Sequence, residues 1–251
     1  MNVVGLIPAR AGSKRIPGKN TKMFKGKPLV EYTIAAAQQA EIFGSDLFVS
    51  TDDPAVQRIA LDHYIHVIDR PAEYAGDRSP DIEWIRHALK TLERMRGEAY
   101  DAFFILRPTS VFRSAATIRR AWEKFIGCQP CHSLRSVRRV KERWQKMWYL
   151  HSGSLGGDAG EGEIYERLYP LSTRLMNGLP EYEMQGACFC DCYVQDGCVH
   201  IAWTKVLEKF GNITGEIVKP YFPTTLESFD LNDETDWKLA EILAGEAWDG
   251  E

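Results

Sequence analysis

The sequence lacks any long apolar run, and this absence argues against a membrane-spanning protein. Nowhere in the 251 residues do apolar side chains continue for the roughly 20 positions that a helix needs to cross a bilayer. The first residues also lack the basic start and apolar run of a secretory signal peptide, so we expect a cytoplasmic protein. With 44% hydrophobic and 26% charged residues, the composition predicts one folded domain over residues 1–251.

Cysteine is scarce, and its spacing does not match a zinc ribbon. Cys128 and Cys131 form one CxxC pair, but no second pair follows at the spacing of a structural zinc site. Cys188, Cys190 and Cys192 alternate, so on a strand they would share one face and pack as small apolar side chains. A metal role for these thiols is the less favoured alternative.

Acidic side chains are missing from one end of the chain and concentrated at the other. The net charge of −4 argues against a dedicated nucleic-acid-binding protein. Residues 1–30 contain seven basic side chains and no acidic one, whereas residues 227–251 contain nine acidic side chains and one lysine. We therefore expect the first segment to bind an anion. The last segment either holds a cation or forms a solvated helix face.

Apolar runs and helical periodicity alternate along the first half of the chain. Strands are predicted at 2–7, 46–51, 64–69 and 102–107, and helices at 28–41, 54–63, 81–95 and 115–125. Further strands are predicted at 187–194 and 216–222, with a final helix at 234–248. This alternation predicts an α/β fold with a Rossmann-like, mostly parallel sheet and helices on both faces. Ligands bind such sheets at the carboxyl ends of the strands.

Residues 138–182 differ in character and predict an inserted, protruding subdomain. The segment is basic and aromatic at its start, with Trp144, Trp148 and Tyr149 close together. Large aromatic side chains are rarely left exposed, so these favour a subunit contact. A surface excursion without function is the alternative.

The loop after the first strand is unusually long for its position. About 20 residues separate strand and helix, where two to six would suffice. Pro8, Pro17 and Pro28 stiffen the loop, and Gly12 and Gly18 allow its backbone to approach a ligand closely. Backbone amides and several cations at a strand end predict a polyphosphate site, although neither the GxxxxGK[ST] nor the GxGxxG pattern is present. A solvated basic loop is the alternative interpretation.

Several segments together resemble one enzyme family. They are IPARAGSKRIPGKN from Ile7, VSTDD from Val49, RPAEYAGDRSPDIEWIRHAL from Arg70, LRPTSVFR from Leu106, RSV from Arg135, KMW from Lys146 and FDLNDETDWKLAE from Phe229. The chain resembles the cytidylyltransferases that make CMP-activated 2-keto-3-deoxy sugar acids such as sialic acid. The resemblance implies a nucleotidyltransferase fold of the GT-A-like type, CTP and a small sugar acid as substrates, Mg²⁺ as cofactor, and a homodimer formed through the inserted subdomain.

The resemblance also implies which residues contact the nucleotide. Arg10, Lys14 and Lys19 are expected to contact the phosphates. The same loop contributes Ala11, where relatives usually have a second glycine, together with Gly12, Ser13 and Asn20. The segment after the third strand is expected to frame cytosine and ribose through Arg70, Ser79 and Asp81. For Asp81, capping of the following helix is an equally weighted alternative.

The acceptor and metal sites follow from the later motifs. Arg107, Ser110 and Arg113 are expected to contact anionic or hydroxyl groups, with strand-end salt bridges as the alternative, and Gln185 is expected to reach the acceptor sugar. Relatives carry a DxD pair where this chain has Asp230 and Asn232, which are therefore the expected Mg²⁺ ligands. A turn or capping role for Asp230 is the alternative, and Asp233 and Asp236 are expected in the first turn of the final helix.

These features predict transfer of CMP from CTP to the anomeric hydroxyl of a sialic-acid-like nonulosonate, with release of pyrophosphate. Arg10, Lys14, Lys19 and Asp230 are the expected catalytic residues. Two alternatives remain open at this point. One is another sugar nucleotidyltransferase of the same fold that uses a sugar 1-phosphate or a different nucleotide, and the other is a nucleotide-binding relative without catalysis. Neither a nucleic acid nor a membrane is an expected partner.

Overall fold

A seven-stranded sheet forms the centre of the first of two units in the chain. The structure is a computed structural model that describes residues 1–155 and 163–245. The first unit comprises Met1–Arg138 and Gln195–Glu251, and the second comprises Arg139–Val194. Within the described ranges, no helix is both long and apolar enough to cross a bilayer.

Along the first half of the chain, the longer strands and the helices alternate as the sequence pattern predicts. The strands are β1 (Val3–Pro8), β2 (Met23–Phe24), β3 (Lys27–Pro28), β4 (Leu47–Thr51), β5 (His66–Asp69), β6 (Ala102–Ile105), β7 (Ser133–Val140), β8 (Trp148–Leu155), β9 (Glu163–Pro170), β10 (Leu175–Met176), β11 (Leu179–Pro180), β12 (Cys192–Trp203) and β13 (Val218–Tyr221). The helices are α1 (Leu29–Gln39), α2 (Pro54–Asp62), α3 (Asp81–Arg96), α4 (Ala115–Gly127), α5 (Lys205–Phe210) and α6 (Glu234–Ala244).

The central sheet is mostly parallel, as predicted. Its strand order is β13-β7-β12-β6-β1-β4-β5. Strand β1 pairs in parallel with both β4 and β6, β5 continues in parallel from β4, and β13 lies parallel to β7. Strand β12 runs antiparallel to β6. Because β1, β4 and β6 point the same way, the loops that follow them meet at one edge of the sheet.

Helices cover both faces of this sheet. Alternate side chains of β1 point to opposite faces, so Ile7 joins a buried cluster with residues of α1 and α4, whereas Leu6 joins a cluster with Trp84 and Ile85 of α3. Apolar residues on both faces explain the near-continuous apolar runs in the sequence. The predicted α/β fold with helices on both faces is therefore confirmed.

A third buried cluster holds the long first loop against the last helix. The short β2–β3 hairpin in this loop contributes Phe24, whose ring meets Trp237 of α6 edge to face with centroids 5.5 Å apart. Phe112 packs edge to face on the same ring of Phe24 at 6.4 Å. This cluster joins segments that are more than 200 positions apart in sequence and fixes the far end of the basic loop.

The strand predicted at 187–194 is wrong over its first half. Cys188 ends a single 3₁₀ turn and β12 begins only at Cys192, so Cys188 and Cys190 do not share a strand face with it, and both thiols are exposed. The same strand continues to Trp203, beyond its predicted end. Gly197, at a φ of 76°, interrupts the alternation of apolar residues that would have indicated this continuation of the strand.

Other elements also differ from the sequence-based expectations, and β7 of the central sheet was not predicted. Helix α5 was not predicted, because its six residues are too few to show a helical repeat. The final helix ends at Ala244, and the last part of its predicted span, residues 246–248, lies outside the described residues.

The second unit contains two antiparallel hairpins. Strands β8 and β9 pair over eight positions, and the shorter pair β10 and β11 follows. Asp191 accepts hydrogen bonds from Arg139 at 2.8 Å and from Arg143 at 3.0 Å within this unit. The dimerisation role expected for residues 138–182 stays a prediction.

Candidate functional site

The basic first loop is held by the end of the neighbouring strand β4. The hydroxyl group of Thr51 donates a hydrogen bond to the carbonyl oxygen of Ala9. The amide of Ala11 donates to Asp52 Oδ1 at 2.8 Å. Inside the loop, Asn20 Nδ2 donates to the carbonyl of Arg10 at 3.0 Å. The VSTDD segment therefore supports the loop backbone.

This loop lines a cavity of about 300 Å³ at the carboxyl ends of the strands. Most residues predicted for the nucleotide meet here, together with Arg107 and Asn232. Its polar lining includes Arg10, Ser13, Lys14, Arg15, Lys19, Asn20, Arg70, Asp77, Ser79, Asp81, Arg107, Thr109 and Asn232. Ala11 and Gly12 are exposed in the same loop, and a Cβ on Gly12 would meet no atom within 4 Å.

Two of the expected phosphate-binding cations share one carboxylate. Asp77 pairs with Arg10 Nη2 at 2.9 Å and also with Lys14 Nζ. The hydrogen bond from Lys14, together with the charges of Lys14 and Arg10, lowers the pKa of Asp77 despite some desolvation. Asp77 carries its negative charge where the two cations converge. Asp77 lies within the motif that begins at Arg70, but no role was predicted for it. The signal that could have found it is an acidic residue in a motif expected to face basic side chains.

Lys19 connects the first loop to the last motif. Its Nζ donates to the carbonyl of Leu231 at 2.9 Å. Burial lowers the pKa of Lys19, and the opposing effect of nearby Asp230 is smaller. The ammonium therefore lies in a poorly solvated position, where an additional negative charge would stabilise its charged form.

Arg70 forms a wall of the cavity and is held in place on two sides. Its guanidinium lies 4.8 Å above the ring of Trp84, and it donates to Ser50 Oγ at 3.1 Å and to Ser50 O at 2.9 Å. Burial lowers the pKa of Arg70 to about 10. Ser79 lies nearby and donates to the carbonyl of Glu73 at 2.9 Å, which fixes the loop before α3.

Asp81 is not the cap of α3, so the capping alternative is wrong. Pro80 occupies the N-cap position, and Asp81 is the first residue of the helix. Its Oδ1 accepts from Trp84 Nε1 at 3.0 Å, and its Oδ2 pairs with Arg107. Burial alone would raise the pKa of Asp81. The charge of Arg107 and these hydrogen bonds together outweigh that effect, so the pKa lies below its usual value and Asp81 is ionised. At Arg107 the structure thus shows the salt bridge that the sequence left as an alternative.

The structure does not bring Ser110 and Arg113 to the cavity walls. Arg113 is 2% exposed and donates to the carbonyl of Cys198 at 2.8 Å and to Thr33 Oγ1 at 2.7 Å. Burial lowers its pKa to about 10. Ser110 is buried beside it. The guanidinium of Arg113 is occupied by these buried protein groups, so it does not reach the cavity for the expected anion contact.

Asp230 and Asn232 lie side by side before the last helix. Asn232 Nδ2 donates to Asp230 Oδ2 at 3.0 Å, whereas Asp230 Oδ1 is buried and has no hydrogen-bond partner. The helix cap is Asp233, which forms a capping box with Asp236, so the capping alternative for Asp230 is wrong. No cluster of three His, Cys, Asp or Glu side chains suited to a metal occurs in the described ranges. One unpartnered carboxylate oxygen fits an ion whose remaining ligands are phosphate and water.

A second cavity of about 400 Å³ adjoins the first. Both are lined by Arg10, Arg15, Lys19, Asp81, Arg107, Thr109 and Asn232. The second cavity is also lined by three residues that sequence reasoning missed: Arg135, Gln195 and His200. The RSV segment signals Arg135, but no sequence pattern signals His200, which lies on the unpredicted part of β12.

Gln185 lies in the second unit, where it precedes the turn formed by residues Gly186–Cys188. Its expected contact with the acceptor stays a prediction.

Comparison with known proteins gives a consistent set of relatives. A family model described as "Cytidylyltransferase" matches residues 4–111. A CMP-N,N'-diacetyllegionaminic acid synthase from Legionella pneumophila is 31% identical, over 97% of this chain and 96% of its own length. An N-acylneuraminate cytidylyltransferase from Escherichia coli is 30% identical over 95% of this chain, which spans about half (51%) of that longer protein.

A solved structure shares the fold at low sequence identity. It is a CMP:2-keto-3-deoxy-manno-octonic acid synthetase complexed with CTP, with a TM-score of 0.63 and 13% identity over 98% of this chain and 99% of that one. At this identity the likeness supports the nucleotidyltransferase fold alone.

Proposed function

The chain belongs to the family of cytidylyltransferases that form CMP-sugar acids, and from this we propose that it transfers CMP from CTP to a nonulosonic acid. The observation that carries the proposal is the first cavity. There, Arg10, Lys14, Arg15 and Lys19 of one loop converge at the carboxyl edge of the sheet. Such a concentration of positive charge suits a triphosphate. It also neutralises the negative charge of the leaving pyrophosphate, which favours its departure.

The reaction is an in-line displacement at the α-phosphorus of CTP. The oxygen of the anomeric hydroxyl forms a bond to this phosphorus, the bond to the bridging oxygen of pyrophosphate breaks, and the hydroxyl proton leaves to solvent. Catalysis of this kind rests on positioning and on charge stabilisation, and it needs no covalent protein intermediate.

The two adjoining cavities accommodate the two substrates. In this proposal the triphosphate lies against the first loop, and Arg70, Ser79 and Asp81 frame the cytidine. The acceptor enters the second cavity, so the shared residues, including Lys19 and Arg107, surround the reacting atoms. Pyrophosphate then leaves past Arg10 and Lys14.

Asp230 and Asn232 would hold Mg²⁺ through the carboxylate and the amide oxygen. The support is the buried Oδ1 of Asp230, which lacks a protein partner. When bound there, a magnesium ion neutralises phosphate charge and orients oxygen atoms. Asn232 contributes no charge, so we expect weaker metal binding than at a pair of carboxylates.

Two alanine substitutions test these assignments. We expect Lys14→Ala and Asp230→Ala each to lower CTP-dependent pyrophosphate release by at least about 100-fold, because the first removes a cation at the phosphates and the second removes the carboxylate that would hold Mg²⁺ there. Lys90→Ala and Asp62→Ala, at exposed helix positions, are the matched controls. Full activity in either site variant would contradict its assignment.

A substrate panel tests the reaction class. The four nucleoside triphosphates are each combined with Mg²⁺ and with nonulosonic acids, an octulosonic acid or a sugar 1-phosphate. We expect pyrophosphate release with CTP and a nonulosonic acid. Turnover of a sugar 1-phosphate with another nucleotide would replace this function with that of a different nucleotidyltransferase.

One observation favours a second candidate function, a nucleotide-binding protein without catalysis. Asn232 stands at the expected metal site, where the family that the sequence resembles commonly has an acid. Binding of CTP by calorimetry without turnover of any acceptor in the panel would support this candidate.

A further inference from the structure

Arg135 projects a positive charge into the second cavity from strand β7. It is half-buried, and its Nη1 donates to Gln195 Oε1 at 2.5 Å while its Nη2 donates to Thr214 Oγ1 at 2.7 Å. Both partners are neutral, so they orient the guanidinium without compensating its charge. Each of these nitrogens carries two N–H bonds, so the fork retains donors for a ligand.

Of the four other arginine and lysine side chains that line this cavity, three are already engaged, and the fourth, Arg15, belongs to the first loop. Arg107 pairs with Asp81. Arg10 pairs with Asp77, and Lys19 donates to the carbonyl of Leu231. Burial lowers the pKa of Arg135, as does its neighbour Arg107, but an arginine remains charged at neutral pH. The wall formed by β7 and β12 therefore presents a fixed cation to the cavity.

His200 gives a second, independent sign that a polar ligand belongs in this cavity. Its side chain lines the cavity and is 8% exposed, and its Nε2 has no hydrogen-bond partner. Burial, with the charges of Arg135 and Arg107, lowers the pKa of His200 to about 3. The imidazole is thus neutral at physiological pH and does not repel a cationic neighbour. A buried polar atom without a partner is costly unless a ligand or water satisfies it.

We propose that Arg135 binds the carboxylate of the acceptor sugar acid and thereby selects acids over neutral sugars. The assignment rests on the proposed function, since it presumes that the second cavity receives the acceptor. A planar guanidinium matches the two oxygens of a carboxylate, and the anchoring by Gln195 and Thr214 reduces the entropy lost on binding. In this arrangement Arg107 and Asp81 neutralise each other. Arg15 and Lys19 of the first loop serve the triphosphate, and Arg135 on β7 recognises the acid.

The test compares the sugar acid with its C1 carboxamide as acceptors. Wild type and Arg135→Gln are assayed for pyrophosphate release with each acceptor, and KM is measured for CTP and for the acceptor separately. We expect kcat/KM for the acid to fall roughly 10- to 100-fold in the variant, the range for loss of a charge-assisted hydrogen bond. The KM for CTP changes less than about twofold, and the preference for the acid over the amide disappears.

Two further variants keep the outcome interpretable. Arg138→Gln, three residues along the same strand and exposed, is the matched control and should behave as wild type. Gln195→Glu retains Arg135 but places a carboxylate on its Nη1, so we expect it also to weaken use of the acid acceptor. CTP binding by calorimetry verifies that each variant is folded.

The outcomes separate this proposal from the broader one. If wild type transfers CMP to the acid and Arg135→Gln or Gln195→Glu still prefers the acid over the amide, the role of Arg135 is refuted while the proposed function stands. A rise in the KM for CTP instead of the acceptor also refutes it. If wild type transfers CMP to no sugar acid, the proposed function itself has failed.

Discussion

At the scale of single residues, two cations of the first loop are paired with an acid from another segment, and a third lies near one. Asp77 lies between Arg10 and Lys14, and Asp230 lies near Lys19. A triphosphate that reaches the first cavity must compete with Asp77 for the same two side chains. These ion pairs therefore hold the conformation of the loop before a ligand binds, at some cost in affinity for the triphosphate.

The burial of Lys19 leads to a pH prediction. Its pKa lies below the ordinary value of 10.5 because burial disfavours the ammonium. Deprotonation removes a charge that would contact phosphate, so kcat/KM for CTP should fall as the pH rises through this lowered pKa. The arginine of Lys19→Arg keeps its charge to higher pH, so we expect the alkaline limb of the profile to shift to higher pH.

The measurement is the pH profile of kcat/KM for CTP from pH 6 to 11, with protein stability followed by circular dichroism over the same range. Lys90→Arg, on an exposed face of α3, is the control and should leave the limb in place. An alkaline limb that is identical in wild type and Lys19→Arg would assign it to another group.

At the scale of elements, the start of α6 fixes the geometry of the expected metal site. Asp233 accepts from the amides of Thr235 and Asp236 at 2.9 Å, and Asp236 Oδ2 accepts from the amide of Asn232 at 2.8 Å. The helix cap and the site thus share one hydrogen-bond network. Asp236 lies in the first turn of the final helix, as expected, whereas Asp233 precedes that turn as the N-cap, and both acids stand at the positive end of the helix.

A cap substitution tests this coupling. We expect Asp233→Ala to lower the free energy of unfolding by about 1 kcal/mol, the usual cost of losing an N-cap side chain. Urea denaturation measures the change, and Lys238→Ala at an exposed position of the same helix is the control. An unchanged unfolding midpoint would show that the capping box does not stabilise α6.

At the scale of the whole molecule, the second unit exposes apolar side chains on its hairpin. Leu150 and Leu168 face each other across β8 and β9, and they are 56% and 58% exposed. Trp148 and Tyr149 are also partly exposed in this unit. Directly opposite residues on an antiparallel pair lie on the same face, so these leucines form one apolar surface suited to a second copy of the chain.

We predict a homodimer that depends on this surface. Sedimentation equilibrium should give twice the mass of the chain for wild type. The double variant Leu150→Glu with Leu168→Glu should sediment as a monomer, because two carboxylates would be desolvated at the interface. Leu61→Glu, at an exposed site of α2, is the control and should remain dimeric. A monomeric wild-type protein would contradict the prediction.

Sequence periodicity predicted the first four strand–helix repeats because their apolar side chains are local and regular. It failed at β12, where Asp196 and Gly197 interrupt the pattern and pairing with β6 decides the strand. The first loop was recognised from its length and charge. The contacts of Asp77, Arg113 and Arg135 were not, because they join residues far apart in the chain.

Contiguous motifs and local periodicity were enough to identify the family, the α/β class and the charge of the phosphate loop. Which cations face a cavity could be seen only in the folded chain. It buries Arg113 under carbonyl groups, pairs Arg107 with Asp81, and leaves Arg135 between two neutral partners. The physical reason is that the burial and the pairing of a charge depend on neighbours that the fold alone brings together.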